Sequence, residues 1–324
     1  MALPTAQKTW QYNVNQTVTA GATMAASYSQ LMYKIKATLI GFTTLPWTVV
    51  ASSNGTTADT SDNWASSSDV VFGTGAGARS WVVLKQTGLA SNFQILIAAA
   101  NGAQAATGEF GLILASPSAG FTGLTSTTVT PTATDQYQIN QTAAQWMFTT
   151  AAAFGFTLHG MMSDDGECTR IFVTRSTKCI GALFIEKIQQ PVTGMTNPVF
   201  AWCNSGGAIG SELLTTTNAL SAAYGRGSQN STSITYTWTT EFYAYVAAIG
   251  SQTFNQISGE TILMPCGAMG TTGAFGRHGH LADIWTGSYV TAATGDTYPN
   301  DSTRLLAHFG IFVVPWNGTA VVTT

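Results

Sequence analysis

A pair of histidines near the C-terminal end of the chain has the spacing of metal ligands. His278 and His280 are separated by Gly279, and Asp283 follows closely. Two histidines on one face of a strand, with a carboxylate as third ligand, can bind zinc. Glycine and alanine surround the pair, which favours structural or incidental histidines. These three residues are the candidate metal ligands, but the sequence as a whole predicts no bound metal and no cofactor.

Three carboxylates lie close together in the run Asp164-Asp165-Gly166-Glu167. Such a cluster could attract a hard cation, but it lacks the alternating oxygen ligands of a calcium loop. Asp-Gly is typical of a tight hairpin turn. The run is therefore predicted to be the charged tip of a hairpin, without a metal.

Nucleophilic catalysis has no sequence signature in this chain. There is no G-x-S-x-G elbow, and the 4 histidines belong to no motif that would define a triad. The chain is predicted not to be an enzyme. A polysaccharide depolymerase stays open as a third alternative, because it needs only two carboxylates about 5 to 10 Å apart across a cleft.

Aromatic side chains offer a different chemistry, the binding of sugar faces or of partner proteins. The chain has 9 Trp and 10 Tyr. Aromatic residues at alternating strand positions usually belong to the core. Trp64 and Trp285 lie in Gly-, Ser- and Asp-rich surroundings and are predicted to face a ligand or partner. Trp10 and Tyr12, in the N-terminal segment, are predicted to contact partner subunits.

Charged residues are scarce in this sequence. Asp, Glu, Lys and Arg make up 8% of the chain, against roughly 25% in an ordinary globular protein. A free monomer usually keeps itself soluble with a mixed charged surface. The polar surface here must instead consist of Thr, Ser, Asn, Gln and Gly, which favours a protein covered by its neighbours. A Thr- and Ser-rich secreted β-protein is the alternative.

Several partners and compartments are disfavoured by the same composition. The net charge is -3 and no stretch gathers Lys and Arg, so direct nucleic-acid binding is not expected. No run reaches the roughly 18 to 20 apolar residues of a membrane span. The first residues carry no secretory signal, and the 4 cysteines show no C-x-x-C pair. The chain is expected to be made in a bacterial cytoplasm, with reduced thiols.

The hydrophobic pattern divides the chain into three parts. Residues 1–21 alternate apolar and polar side chains, which predicts an N-terminal arm or strand. Residues 22–41 carry an apolar stripe at helical spacing and end at a glycine, which predicts an amphipathic helix. Residues 42–324 read as a β-rich body, with a sub-boundary in the charge-free stretch near 116–135.

The body consists of short apolar runs bounded by turn residues. The predicted fold is mainly β (α+β), with antiparallel sheets or a sandwich, the N-terminal helix and long polar loops. Residues 267–303 are expected to form one such loop region. In the central hairpins, a reversal at Ser176 and Thr177 would set Cys179 opposite Thr174 and Cys168 opposite Ile185, too far apart for a disulfide.

A series of distinctive segments runs along the chain: Lys8–Gln16, Pro46–Asn54, Asp62–Trp64, Ser80–Gly88, Ser116–Phe121 and Asp164–Arg170. In this order they resemble a poorly characterised family of structural proteins from tailed bacteriophages and prophages. The resemblance covers about residues 8–200 and rests on motif order, not on a catalytic signature. It implies a place in the virion and carries over no functional residue.

Composition and resemblance together predict a structural virion protein, either an auxiliary capsid-decorating component or part of the tail assembly. Its expected partners are copies of itself and other virion proteins, contacted through sheet edges and the N-terminal segment. The alternative is a receptor-recognition module of the tail that binds a host surface glycan through exposed aromatic rings.

Overall fold

The computed structural model describes residues 6–18, 24–72, 80–89, 93–101, 109–116, 120–126, 137–138, 155–175, 178–190, 199–205, 224–229, 232–239, 263–270, 276–287, 306–309 and 312–317. Within these ranges the chain forms one α-helix, α1 (Met24–Ile40), a short 3-10 helix (Ser67–Asp69) and strands β1 to β17. The strands are β1 (Trp10–Val18), β2 (Thr48–Ser53), β3 (Ala58–Asp59), β4 (Trp81–Lys85), β5 (Gln94–Asn101), β6 (Glu109–Ser116), β7 (Tyr137–Gln138), β8 (Phe156–Ser163), β9 (Cys168–Arg175), β10 (Lys178–Lys187), β11 (Val199–Ser205), β12 (Tyr224–Gln229), β13 (Thr232–Thr239), β14 (Leu263–Gly270), β15 (Gly276–Gly287), β16 (Leu306–Phe309) and β17 (Phe312–Pro315).

The strands form three antiparallel sheets. Sheet A has 5 strands in the order β1-β8-β9-β10-β11. Sheet B has 8 strands in the order β13-β12-β7-β6-β5-β4-β2-β3, and sheet C has 4 in the order β14-β15-β17-β16. The N-terminal strand β1 is thus paired with β8 from the middle of the chain. The predicted mainly-β, antiparallel class with an N-terminal helix is confirmed.

Helix α1 shares one hydrophobic core with sheets A and B. Leu31, Ile35 and Leu39 follow each other along its buried face and are fully enclosed. Burying a side chain of this size is worth about 1.5–3 kcal/mol, so the helix is fixed mainly by packing. The strand residues in the same core come from both sheets: Val82, Leu84, Ile95 and Ile97 from sheet B, and Leu158, Met162, Ile171, Val173, Leu183 and Ile185 from sheet A.

The opposite face of sheet A packs against sheet C through aromatic rings. We call this set the aromatic layer: Phe172, Phe184, Phe309, Phe312 and Trp316. The rings of Phe172 and Phe309 stack with centroids 4.4 Å apart, and Phe184 meets Phe312 edge-on at 4.9 Å. Trp316 closes the layer with an edge contact to Phe309 at 5.1 Å. Such ring pairs add about 0.5–1.5 kcal/mol each beyond simple burial.

The predicted hairpin register is right at one end and wrong at the other. Cys179 lies opposite Thr174, as expected, but Cys168 lies opposite Glu186 and not Ile185. A register shift between Cys179 and Gly181 supplies the extra residue, because a bulge sets two residues against one. Both thiols are buried and unbridged.

The C-terminal part departs further from expectation. The predicted loop region at 267–303 is wrong over the residues described there, because β14 and β15 pair as a hairpin that reaches Gly287. Glycine-rich sequence hid the alternation that normally marks strands. The proposed sub-boundary near 116–135 lies largely outside the described residues. No helix in the part of the chain that the structure describes has the length and apolarity of a membrane span.

Candidate functional site: a charged junction at the N-terminal segment

Most of the ion pairs in the described ranges gather where the N-terminal segment meets sheets A and C. We call this cluster the N-terminal junction. Its members are Lys8, Trp10, Asp165, Glu167, Arg170, Glu186, Lys187 and Asp283.

The β8–β9 turn supplies the acidic side of the junction. Gly166 has φ +70 and its amide donates to the carbonyl oxygen of Ser163 at 2.8 Å, a conformation that favours glycine. The Asp165 carboxylate accepts the Ser163 hydroxyl at 2.6 Å and the Glu167 amide at 3.0 Å. The turn therefore holds Asp165 and Glu167 in fixed positions at its tip, which confirms the predicted hairpin turn.

Two lysines neutralise this turn. Lys8 Nζ lies 2.6 Å from Asp165 Oδ2 and 2.7 Å from Glu167 Oε2, and Lys187 Nζ lies 2.6 Å from Glu167 Oε1. Burial alone would lower the pKa of Lys8, but its hydrogen bonds to the two carboxylates outweigh burial and raise it. Partial burial works against both acids, yet the lysine hydrogen bonds leave the pKa of Asp165 and of Glu167 below their ordinary values.

Asp283 holds the N-terminal segment on sheet C. Its Oδ1 accepts the Gln7 amide at 2.7 Å, and its Oδ2 accepts the Lys8 amide at 2.9 Å and Trp10 Nε1 at 2.9 Å. Successive backbone N–H groups directed at a carboxylate form a small anion-binding concavity. Asp283 adopts φ +50, a strained conformation that Asp tolerates better than most residues. The strain is offset by charge-assisted hydrogen bonds.

Arg170 connects strand β15 of sheet C, which carries Asp283, to the interior of sheet A. Its Nε and Nη2 reach the two Glu186 oxygens at 2.5 and 2.9 Å, and both side chains have 0% exposure. The guanidinium also donates to the carbonyl oxygens of Ala282 and Asp283. Trp10 covers the guanidinium, with the ring centroid 4.6 Å from Arg170 Cζ, a cation–π arrangement.

The pKa shifts of the junction residues favour a role in attachment over acid–base or thiol catalysis by these groups. A general acid at neutral pH needs a carboxyl whose pKa is raised, whereas the Asp165 and Glu167 pKa values are lowered. Burial, followed by the charge of Glu186, raises the pKa of the Cys168 thiol. That shift keeps the thiol protonated and unreactive.

The predicted interaction residues fall into two groups. Trp10 and Tyr12 are half-buried in β1, and Tyr12 packs edge-on against Trp316 at 5.1 Å. The expected exposure of Trp64 and Trp285 is wrong, since they are 0% and 7% exposed. Trp64 lies in the main core with Nε1 donating to the Ser53 carbonyl, and Trp285 packs in sheet C. Gly-, Ser- and Asp-rich flanks indicated turns around these rings, not exposure.

The candidate metal ligands share strand β15 but form no ligand set that the structure describes. Asp283 is occupied by its three donors from the N-terminal segment. His280 pairs through its backbone with Gln189, at 2.8 and 3.1 Å, and the side chain of His278 lies outside the described part. Over the residues described, no three His, Cys, Asp or Glu side chains are grouped to hold a metal ion.

Arg170 and Glu186 were not singled out from the sequence. The available signal was a charged residue in each of two mostly apolar strands, on the side away from the turn between them: Arg170 in Cys168–Arg175 and Glu186 in Lys178–Lys187. Charges at such positions are rarely buried unless paired. Neither a protein-family model, nor a curated protein, nor a solved structure matches this chain.

Proposed function

We propose that this chain is a structural virion protein of a tailed bacteriophage, an auxiliary capsid-decorating or tail-assembly component. It would act through contacts with copies of itself and with other virion proteins. The observation that carries the proposal is where the few charges lie. The sequence and motif order described above are consistent with it, and the junction gives it a physical basis.

Most of the ion pairs that the structure describes attach one part of this protein to another. The chain has only 12 basic and 15 acidic residues. In the described ranges, four of the five ion pairs belong to the N-terminal junction; the fifth joins Lys36 to Asp62. With 8% charged residues, the polar surface must consist largely of neutral groups, which lose less hydration free energy than ions when another protein covers them. This supports a role in close subunit packing.

One exposed loop offers a specific contact point for a neighbouring subunit. Leu45 is 45% exposed and has φ +45, a conformation that costs a non-glycine residue roughly 1–2 kcal/mol. Gln11 fixes the loop, because its Oε1 accepts the amides of Thr43 and Thr44 at 2.8 and 3.0 Å. Gln86 Nε2 holds the Leu45 carbonyl at 2.7 Å. The fold thus presents an apolar side chain outward on a rigid support.

The glycan-binding alternative loses its main support. It depended on Trp64 and Trp285 facing outward, and both rings are buried. A depolymerase would need a carboxyl with a raised pKa as general acid, whereas the junction acids Asp165 and Glu167 are held ionised by lysines. Among the residues that the structure describes, no observation favours either alternative.

The virion assignment is tested by locating the protein. Particles of the phage that encodes this chain are purified on a density gradient and digested for peptide mass spectrometry. We expect peptides of this chain at a constant ratio to those of the major head protein across the particle peak. Antibody labelling in the electron microscope then separates head from tail. Absence of the chain from washed, infectious particles would refute the proposal.

Self-association is tested separately with the purified chain. Sedimentation at increasing concentration should show oligomers that persist at high salt, because screening weakens ionic contacts but not neutral ones. Leu45→Asn should weaken association while keeping the fold, since Asn tolerates the left-handed conformation. Thr60→Asn, at an exposed polar position, is the control and should leave association unchanged. A monomer under all conditions would contradict the assembly mechanism.

A further inference from the structure

The turn between β2 and β3 contains an Asn-Gly pair in a defined geometry. Ser53 pairs with Ala58 across the hairpin, and the Asn54 amide donates to the carbonyl oxygen of Thr57 at 3.3 Å. Gly55 has φ +92, which favours glycine at this position. Because residue 55 is a glycine, no Cβ of its own stands beside the peptide nitrogen that follows Asn54.

Three donors converge on the side-chain oxygen of Asn54. Its Oδ1 accepts the Thr56 amide at 3.1 Å, the Thr56 hydroxyl at 2.8 Å and the Thr57 amide at 2.9 Å. Donors arranged around a carbonyl oxygen stabilise the negative charge that develops there when the carbonyl carbon is attacked. The Gly55 N–H donates to Ser53 Oγ at 3.0 Å, which restricts the orientation of the peptide that follows Asn54.

We propose that Asn54 is a site of spontaneous, structure-assisted deamidation. The Gly55 nitrogen gives its proton to solvent base and attacks Asn54 Cγ, so that an N–C bond forms and the carbonyl electrons move to Oδ1. Collapse of this intermediate breaks the bond to Nδ2, which leaves as ammonia with a proton from water. Water then opens the cyclic imide at either carbonyl and leaves aspartate or isoaspartate. Water is the only co-reactant.

The product changes a sheet edge. Strand β3 is the last strand of sheet B, and Asp59 already lies in it, exposed. A new carboxylate at position 54 adds a negative charge to a chain whose net charge is -3. The isoaspartate form also lengthens the backbone by a methylene and shifts the hairpin register. Deamidation here does not depend on the proposed virion role.

The test compares the folded and the unfolded chain. Purified protein is incubated at mildly alkaline pH, with and without a denaturing concentration of urea, and the Asp and isoAsp peptides are quantified by chromatography and mass spectrometry. Two other Asn-Gly pairs, at Asn101 and Asn317, are followed in the same samples as references. We expect Asn54 to convert about fivefold faster in the folded chain than in urea, the rate equivalent of one net hydrogen bond. A rate in the folded chain equal to or below that in urea would overturn the proposal.

Variants identify the responsible groups. Thr56→Val removes the hydroxyl donor with little change of shape and should slow conversion about fivefold. Thr60→Val makes the same substitution at an exposed position outside the turn and should leave the rate unchanged. Asn54→Gln, whose side chain would have to close a larger ring, should yield no product. An unchanged rate in Thr56→Val, with the hairpin intact by circular dichroism, would contradict assistance by these donors.

Discussion

Sheets A and C are joined twice, by the aromatic layer and by the N-terminal junction, and the two attachments use the same strands. On β9, Phe172 faces the layer and Arg170, two positions earlier, faces the junction. On β10, Phe184 and Glu186 repeat the arrangement. Alternate residues of a strand share a face. The same face of sheet A is therefore apolar at Phe172 and Phe184 and ionic two residues away along each strand.

The aromatic layer and the N-terminal junction depend on different properties of the side chains that form them. Rings in the aromatic layer gain by removal from water and tolerate changes that preserve volume. The buried Arg170–Glu186 pair must recover the cost of losing its hydration, and only good geometry and additional hydrogen bonds do so. The junction therefore specifies where the N-terminal segment and β15 must lie, whereas the layer supplies the greater part of the free energy of contact.

The largest effect is expected from breaking the buried pair on one side only. Glu186→Gln leaves the Arg170 guanidinium buried beside a neutral amide, and should lower the free energy of unfolding in urea by about 3–5 kcal/mol. The matched control is the double variant Arg170→Met/Glu186→Leu, which removes both charges. We expect the double variant to recover most of the loss. If it is as unstable as Glu186→Gln, the pair contributes net stability, and the junction does more than set the positions of the N-terminal segment and β15.

A somewhat smaller loss in the free energy of unfolding is expected from a substitution in the aromatic layer. Phe309→Ala opens a cavity against Phe172 and Trp316 and should cost about 3 kcal/mol in urea unfolding. Because no ion pair belongs to this layer, the loss should be the same at low and high salt. A loss that varies with salt would mean that the two attachments are coupled and cannot be treated as separate.

The sequence predicted the layer's elements but not the junction. The Asp-Gly turn and the reversal at Ser176 and Thr177 predicted the hairpin strands that are observed as β9 and β10, because turn residues on either side of an apolar run are a local signal. The partners of Arg170 at Ala282 and Asp283 lie 112 and 113 residues away along the chain. No local pattern encodes such a pairing, and a glycine-rich β15 concealed the strand that provides it.

Helix α1, which was predicted, and Trp64, whose burial was not, differ in the same way. The helix, predicted at 22–41, is observed at Met24–Ile40, since its stripe matches its burial. Trp64 was predicted to be exposed because its neighbours are turn formers, yet Asp62 and Ser53 hydrogen-bond its backbone and ring and turn it inward. Local sequence predicts a turn well, but the direction of a side chain within that turn depends on tertiary contacts.

Release of the N-terminal segment is expected from Asp283→Asn. The substitution replaces an ionised acceptor of three hydrogen bonds by a neutral amide, and should cost about 1.5–3 kcal/mol. Asn tolerates the positive φ at this position, so strain is not added. Hydrogen exchange at the amides of Gln7 and Lys8 should accelerate. Asp164→Asn removes a carboxylate nearby without touching these bonds; if it accelerates exchange equally, Asp283 is not the anchor.

The smallest effect concerns the exposed side of the junction and its pH dependence. Asp165 and Glu167 have ordinary pKa values of 3.8 and 4.5, and both are lowered in the folded chain. Groups of this kind stabilise the fold fully above those ordinary values, and their contribution falls as the pH drops through the folded values. The raised pKa of Lys8 acts in the opposite sense: its contribution is complete below the ordinary value of 10.5 and is lost only at higher pH.

The free energy of unfolding should therefore be level between about pH 5 and pH 10 as far as these three groups are concerned. Because Asp165 is half exposed, the acid-side loss should be only about 0.5–1 kcal/mol. Urea unfolding of wild type and Glu167→Gln, measured from pH 7 to pH 3, isolates this part. The two curves should converge in acid, since a protonated Glu167 and a glutamine both lack the charge that Lys8 and Lys187 bind. Curves that stay parallel would show that the lysines add no pH-dependent stability. The junction would then stabilise the fold only through its buried residues, such as the pair Arg170–Glu186.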